Sequence, residues 1–239
     1  MHHVLDDPSG LSPRAAHFLR QAAERTSFDL SERLTTDELR LLLSRLPGVD
    51  VQERLALFQR AAARYGGLRY RSLAWSFEET ITFAPVPWAA DDYSPEDQDA
   101  MADLIEHDVA HPYAVWLRGD GTVVYCFTGP HSPPVVPVFP NVDALLEAEA
   151  LYQDCATWIP VSLDDAPSLA AVEAHATRLT LIREACGYTE RWWEQEGFRL
   201  HVWRTFAAVF PGYGARWAVW ARDRSGELAA RSFLSQART

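Results

Sequence analysis

The sequence predicts an α+β protein: a curved mixed or antiparallel sheet flanked by N-terminal and central helices. Three observations lead there. Apolar residues recur at helical spacing up to Tyr65. Alternating β-rich runs take over after Gly66-Gly67. The turn sequence Arg118-Gly119-Asp120-Gly121 then joins two such runs between residues 113 and 127, the mark of a β-hairpin.

Taken in order, Ser12-Pro13 opens the first helix, with serine as N-cap and proline at the first helical position. Ala15, Phe18, Leu19 and Ala22 form its apolar stripe. Thr35 and Glu38 have capping-box spacing before Leu39, Leu42, Leu43 and Leu46, and Pro47-Gly48 ends that helix. Asp50 caps a third helix with Leu55, Phe58, Ala62 and Tyr65 inward, and Gly66 and Gly67 supply the positive φ that stops it. Strands are expected at 68–73 and 79–83, with Pro85 and Pro87 opposing a longer run. An acidic helix starts at Ser94-Pro95, buries Met101, Leu104 and Ile105, and ends before Pro112. After the hairpin come a proline-rich edge and a helix capped by Asn141. A long helix is expected over 164–185 and a short aromatic one over 190–195. Strands are expected over 198–210, 216–222 and 227–233. Residues 113–118 are echoed by 217–222, each run followed by a glycine turn and another strand. By pattern, residues 1–157 form the sheet with its N-terminal helices. Residues 158–239 form a C-terminal helix plus a β-meander able to pack on the same core.

Composition bounds the function. A hydrophobic content of 48% with nine tryptophans supports a packed core. No apolar run approaches the roughly 18 residues that cross a bilayer, and the N-terminus has no signal-peptide pattern. Cys126, Cys155 and Cys186 are too widely spaced for a metal or redox pair and fit a reducing compartment, so a cytoplasmic protein is expected. All 22 basic residues are arginine, which excludes lysine Schiff bases and P-loops. Between residues 72 and 177 there are 18 acids and one arginine, near −17. The rest holds 15 acids and 21 arginines, near +6, which together give the chain's −11. Such asymmetry suggests a partner-facing surface that repels nucleic acid and attracts basic proteins. A solvated acidic face that only keeps the chain soluble has the same composition.

Catalytic patterns are weak. His107 and His111 have the spacing of helical zinc ligands, but Pro112 follows and no third ligand beyond the candidate His131 is indicated. The pairs Glu78-Glu79, Asp91-Asp92 and Asp164-Asp165 read as solvated. Cys126 lies in a predicted strand and reads as a buried thiol. Tryptophan and arginine interleave near the C-terminus, as in nucleic-acid platforms, but the overall charge opposes that partner. No cofactor, metal or membrane partner is expected.

From about residue 49 to 154 the order of elements resembles the SUKH superfamily of bacterial immunity proteins. The matching features are a helix ending in Tyr65-Gly66-Gly67-Leu68, a strand pair and an insertion with an acidic helix. They continue with the hairpin from Ala114 to Tyr125, the proline-rich edge, and the helix Asn141-Val142-Asp143-Ala144-Leu145-Leu146-Glu147. The resemblance implies an α+β fold that binds and blocks a cognate toxin, often a nuclease. Residues after Trp158 depart from that pattern. The leading expectation is therefore a non-enzymatic immunity protein that meets a protein toxin through an acidic face. Asp91, Asp92, Glu96, Asp97, Asp99 and Asp103 would supply the charge, with Trp88 and Tyr93 as anchors. The alternative is a small-molecule enzyme whose aromatic pocket holds His107, His131 or Cys126.

Overall fold

Two antiparallel sheets meet across one helix. The computed structural model describes residues 2–46, 50–74, 79–88, 100–107, 113–127, 135–163, 165–205 and 214–238. The first sheet has seven strands in chain order: β1 (Ala23–Arg25), β2 (Leu68–Ser72), β3 (Glu79–Pro87), β4 (Met101–His107), β5 (Tyr113–Arg118), β6 (Val123–Phe127) and β7 (Val136–Phe139). The second has five: β8 (Ile159–Pro160), β9 (Thr180–Leu181), β10 (Glu190–Gln195), β11 (Phe198–Trp203) and β12 (Arg216–Ala221). Their order in the sheet is β8-β12-β11-β10-β9. Neither sheet closes, and the class is α+β.

The N-terminal helices start where their caps dictate. In α1 (Pro13–Ala22) the Ser12 hydroxyl accepts from the Ala15 N–H. Thr35 and Glu38 form both halves of a capping box at α2 (Thr36–Leu43). Asp50 accepts from the N–H groups of Gln52 and Glu53 at α3 (Val51–Tyr65). The expected end of α2 at Pro47-Gly48 lies outside the described residues. The two glycines after α3 differ in role. Gly67 alone has positive φ, at +79°. Gly66 sits at φ −59°, and a β-carbon there would strike Phe28 and the Ala62 carbonyl.

Several elements differ from the sequence reading. β3 continues through both prolines: Pro85 falls inside a register shift between Phe83 and Val86, where a bulge has no bond for proline to break, and Pro87 pairs with Ala102 beyond it. Met101–His107 is a central strand, not the end of an acidic helix. Met101, Leu104 and Ile105 are buried as expected, but pairing with both β3 and β5 overrides their helical spacing. The helix start at Ser94-Pro95 lies outside the described residues. The long helix expected over 164–185 is only α5 (Leu169–Ala176), capped by Ser168, followed by β9 and a 3-10 turn at Arg183–Ala185. Residues 190–195 are a strand, as aromatic content favours. The last element is a helix, α6 (Arg224–Gln236), because Asp223 caps the Gly226 N–H and Ala230, Phe233 and Leu234 fall on one face. Residues 217–222 therefore echo 113–118 only as a strand, since a helix follows the second run.

The core follows the two sheets. One apolar cluster joins α1, α2, α3, the first sheet and α4 (Val142–Cys155). A second joins α5, β10 to β12 and α6. A small third cluster, Leu151, Cys155, Ile182, Ala185 and Trp192, bridges them at the end of α4. The Tyr188 N–H also donates to the Val138 carbonyl of β7 at 2.8 Å, and Gly187 lies against that same carbonyl.

A Gly187→Ala substitution would drive its methyl into backbone that cannot rotate away. It should lower stability by roughly 1–3 kcal/mol in denaturant titration, the usual range for overpacking. An unchanged midpoint would show that the two sheets do not meet there.

Candidate functional site

The inner face of the first sheet turns from apolar to polar towards one end. Ser72, Glu79, His107 and Tyr113 stand at strand ends there, with Tyr70 and Tyr125 in the next row. Glu149 reaches them from α4. Ser72 Oγ lies 2.9 Å from both Glu149 oxygens. His107 Nδ1 is 3.0 Å from Glu79 Oε2, and the Tyr113 and Tyr125 rings stack at 4.9 Å. Burial pushes Glu149 up to about 8, with the charges of Glu190 and Glu79 adding to it and the Ser72 hydrogen bond opposing. The carboxyl therefore carries its proton at neutral pH. Burial also raises Tyr70, Tyr113 and Tyr125 well above the ordinary phenol range.

The second sheet meets this polar end from the other side of α4. Tyr152 Oη lies 3.2 Å from His201 Nδ1, and His201 Nε2 lies 3.2 Å from Glu190 Oε2. Burial lowers the His201 pKa, although the bond to Glu190 opposes it, so the ring is neutral. One tautomer satisfies both contacts: Nε2–H donates to Glu190, and Nδ1 accepts from the Tyr152 hydroxyl. Thr205 donates to the other Glu190 oxygen at 3.4 Å and so accepts from Thr189 at 2.8 Å. His201 is stacked between Trp192 at 4.0 Å and Trp203 at 4.9 Å, and Trp220 extends the column beyond Trp192 at 5.7 Å.

This seam packs a protonated carboxyl, a neutral imidazole and buried phenols against Glu79 and Glu190. Four grooves on the described surface hold about 300, 310, 580 and 260 Å³. None of those four is lined by Glu79, His107, Cys126 or Glu149. Among the described residues no group of three or more His, Cys, Asp and Glu is placed to hold a metal ion. His107 lies on a strand bound to Glu79, not on a metal-gripping helix face, while His111 and His131 lie outside the described residues. Burial raises the thiols of Cys126 and Cys186 and pushes Cys155 up to about 11, which keeps all three protonated.

The predicted docking residues divide. Asp91, Asp92, Tyr93, Glu96, Asp97 and Asp99 lie outside the described residues. Trp88 and Asp103 are together: the indole N–H donates to Asp103 Oδ1 at 3.2 Å. Trp88 meets Trp116 edge-on at 4.3 Å, and Trp116 faces Asp103 in the ladder between β4 and β5. Asp103 and Glu106 are exposed on the outer side of the sheet. Other acids of the 72–177 segment are used internally. Glu79, Glu147 and Glu149 are buried. Asp143 accepts from Tyr65 at 2.8 Å and pairs with Arg64 at 3.6 Å, Asp154 pairs with Arg199 at 2.9 Å, and Glu173 pairs with Arg204.

Sequence reasoning missed the seam. The alternation of Trp192 with Glu190, and of His201 with Trp203, would have exposed half of it had 190–195 been read as a strand. No helix of the described chain is long and apolar enough to cross a membrane. Comparison with protein families, characterised proteins and solved structures finds no match.

The raised Glu149 pKa sets the sign of a pH effect. Unfolded, this carboxyl titrates near 4.5, whereas in the fold it holds its proton to about pH 8. Its contribution is full below the lower value and is lost as pH rises through the higher one. Glu149→Gln keeps a neutral group that can bond Ser72. It should therefore match the wild type near pH 4.5 and exceed it in stability near pH 8. Urea titrations of both proteins across that range test this, and a stability difference independent of pH would refute it.

Proposed function

We propose that this chain is a non-enzymatic binding protein of the immunity type, which neutralises a protein toxin inside the cytoplasm of the cell that makes both. The observation that carries the reading is the acid-and-tryptophan patch on the outer face of the first sheet. Asp103 and Glu106 are exposed there, Asp103 beside the Trp88–Trp116 pair and Glu106 further along the same strand. The residues of α1, α3 and α4 pack into the core on the opposite face. Tryptophan is the side chain most enriched among residues that dominate binding energy. Exposed carboxylates beside it speed encounter with a basic partner and disfavour nucleic acid. The resemblance to the SUKH superfamily supports the same reading through its helix, Gly-Gly turn and hairpin, although the residues 101–107 of its acidic insertion form a strand.

The mechanism needs no bond to be made. The toxin's basic, substrate-binding surface is drawn to the carboxylates, and the indole pair anchors the complex over its active site. Trp88 is held for this task, since its N–H is fixed on Asp103 and its ring on Trp116.

A second reading, an enzyme acting on a small molecule, draws on the seam. The raised Glu149 and the stacked tyrosines, with the Glu79–His107 contact beside them, form the kind of convergent polar group found in active sites. The outer face is preferred because it is exposed as it stands.

Cells expressing the products of neighbouring genes as candidate toxins give the test. The wild type should protect them and form a complex with the purified toxin. Asp103→Arg with Glu106→Arg should slow association about tenfold at low salt, with a smaller difference at high salt. Trp116→Ala should mainly speed dissociation. Protection by both variants at the wild-type level would sink the assignment of this face.

A further inference from the structure

Among the described residues, the second sheet leaves part of one edge open. β8 pairs with β12 only at Trp220 and Ala221. One more bond, from the Val161 N–H to the Val219 carbonyl at 2.9 Å, ends that contact. Successive residues of an antiparallel strand aim their backbone groups to alternate sides. Val219 aims towards β8, so Trp217 aims its N–H and C=O the same way, beyond the point where β8 stops. Neither group has a hydrogen bond among the described residues.

A groove of about 580 Å³ follows this edge, the largest of the four described above. Trp203, Ala218 and Trp220 line it from one face of the sheet, and Trp217, Leu163 and Leu169 from the other, where they pack against the second core. Among the described residues Arg216 is the single charged one of its lining, exposed and directly across the ladder from Trp203.

We propose that this edge takes up an extended peptide strand of a partner protein, apolar at alternate positions and carrying an acidic side chain for Arg216. A backbone offers both a donor and an acceptor at the spacing Trp217 needs, which a small carboxylate cannot do. Alternate side chains of an added strand fall on the two tryptophan-lined walls. Arg216 is exposed in a groove whose described lining holds no carboxylate, so charge complementarity selects an acidic peptide and rejects a basic one. A second copy of this chain fits less well, because two β12 edges would bring two Arg216 side chains onto one short ladder. The stretch before Val219 admits only about five residues of added strand. The site lies on the second sheet, apart from the face of Asp103 and Trp116, and does not rest on the toxin reading.

A displayed library of short random peptides, selected against the full chain, tests this. Selection should enrich peptides that alternate apolar residues and contain Asp or Glu. Trp217→Pro removes the outward N–H at an edge position where proline is tolerated, and should weaken the selected peptides about tenfold. Arg216→Glu should switch the preference to basic peptides. As an exposed change, it keeps the test decisive if the proline variant fails to fold. Asp103→Arg should leave peptide binding unchanged. Absence of enrichment, equal binding to wild type and Arg216→Glu, or a self-associated chain that the peptides do not dissociate would overturn the proposal.

Discussion

The constraint on which this molecule depends is a helix with almost no surface of its own. α4 is buried along nearly its whole length, including Glu147 and Glu149. A buried carboxylate costs several kcal/mol unless it is paired or protonated, and the two glutamates resolve this differently. Glu147 stays among donors: the Ser12 N–H at 2.5 Å, the Ser12 hydroxyl at 2.6 Å and Arg14 at 3.3 Å. Ser12 also caps α1, so one serine fixes where the first helix begins and neutralises the centre of the fourth. Glu149 takes the other route and holds its proton against Ser72. The position of both sheets follows, since each packs on a side of this helix.

The second sheet is tied in at its centre by hydrogen bonds to an uncharged imidazole. A charged His201 between two indole rings would favour the stack electrostatically. Full burial opposes that charge, and Tyr152 needs an acceptor. A neutral ring meets both demands and still leaves Nε2–H for Glu190. Arginine enters at the rim. There Arg199 and Arg222 lie over Trp158 at 4.5 and 5.4 Å, and Arg199 bonds Asp154 of α4.

What could be read from the sequence was local. Caps at Ser12, Thr35, Asp50 and Asn141 name their helices because each signal acts within four residues. The hairpin of β5 and β6 was equally legible from its turn. The strands at 101–107 and 190–195 were not, because their apolar spacing fits a helix as well as a strand and only ladder neighbours decide. The seam was least legible of all. Ser72 and Glu149 are 77 residues apart, and Tyr152 and His201 are 49 apart. Nothing in either neighbourhood marks them until two sheets and a helix are assembled.

The charge asymmetry changes meaning in three dimensions. Read along the chain, an acidic middle flanked by arginine-rich ends suggests one large negative face. In the fold the ends return to the middle. Arg14 and Arg64 from the N-terminal helices meet Glu147 and Asp143, while Arg199 and Arg204 from β11 and just beyond it meet Asp154 and Glu173. Segregated charge thus acts partly as a sorting code that draws the termini onto the central elements. Like charges within the middle disfavour its pairing with itself, and opposite charges favour the native arrangement. An electrostatic case for a partner must then rest on those carboxylates the fold leaves outside. Among the described residues, Asp103 and Glu106 qualify because they stand exposed on the outer face of the first sheet, with Asp103 beside the tryptophan pair.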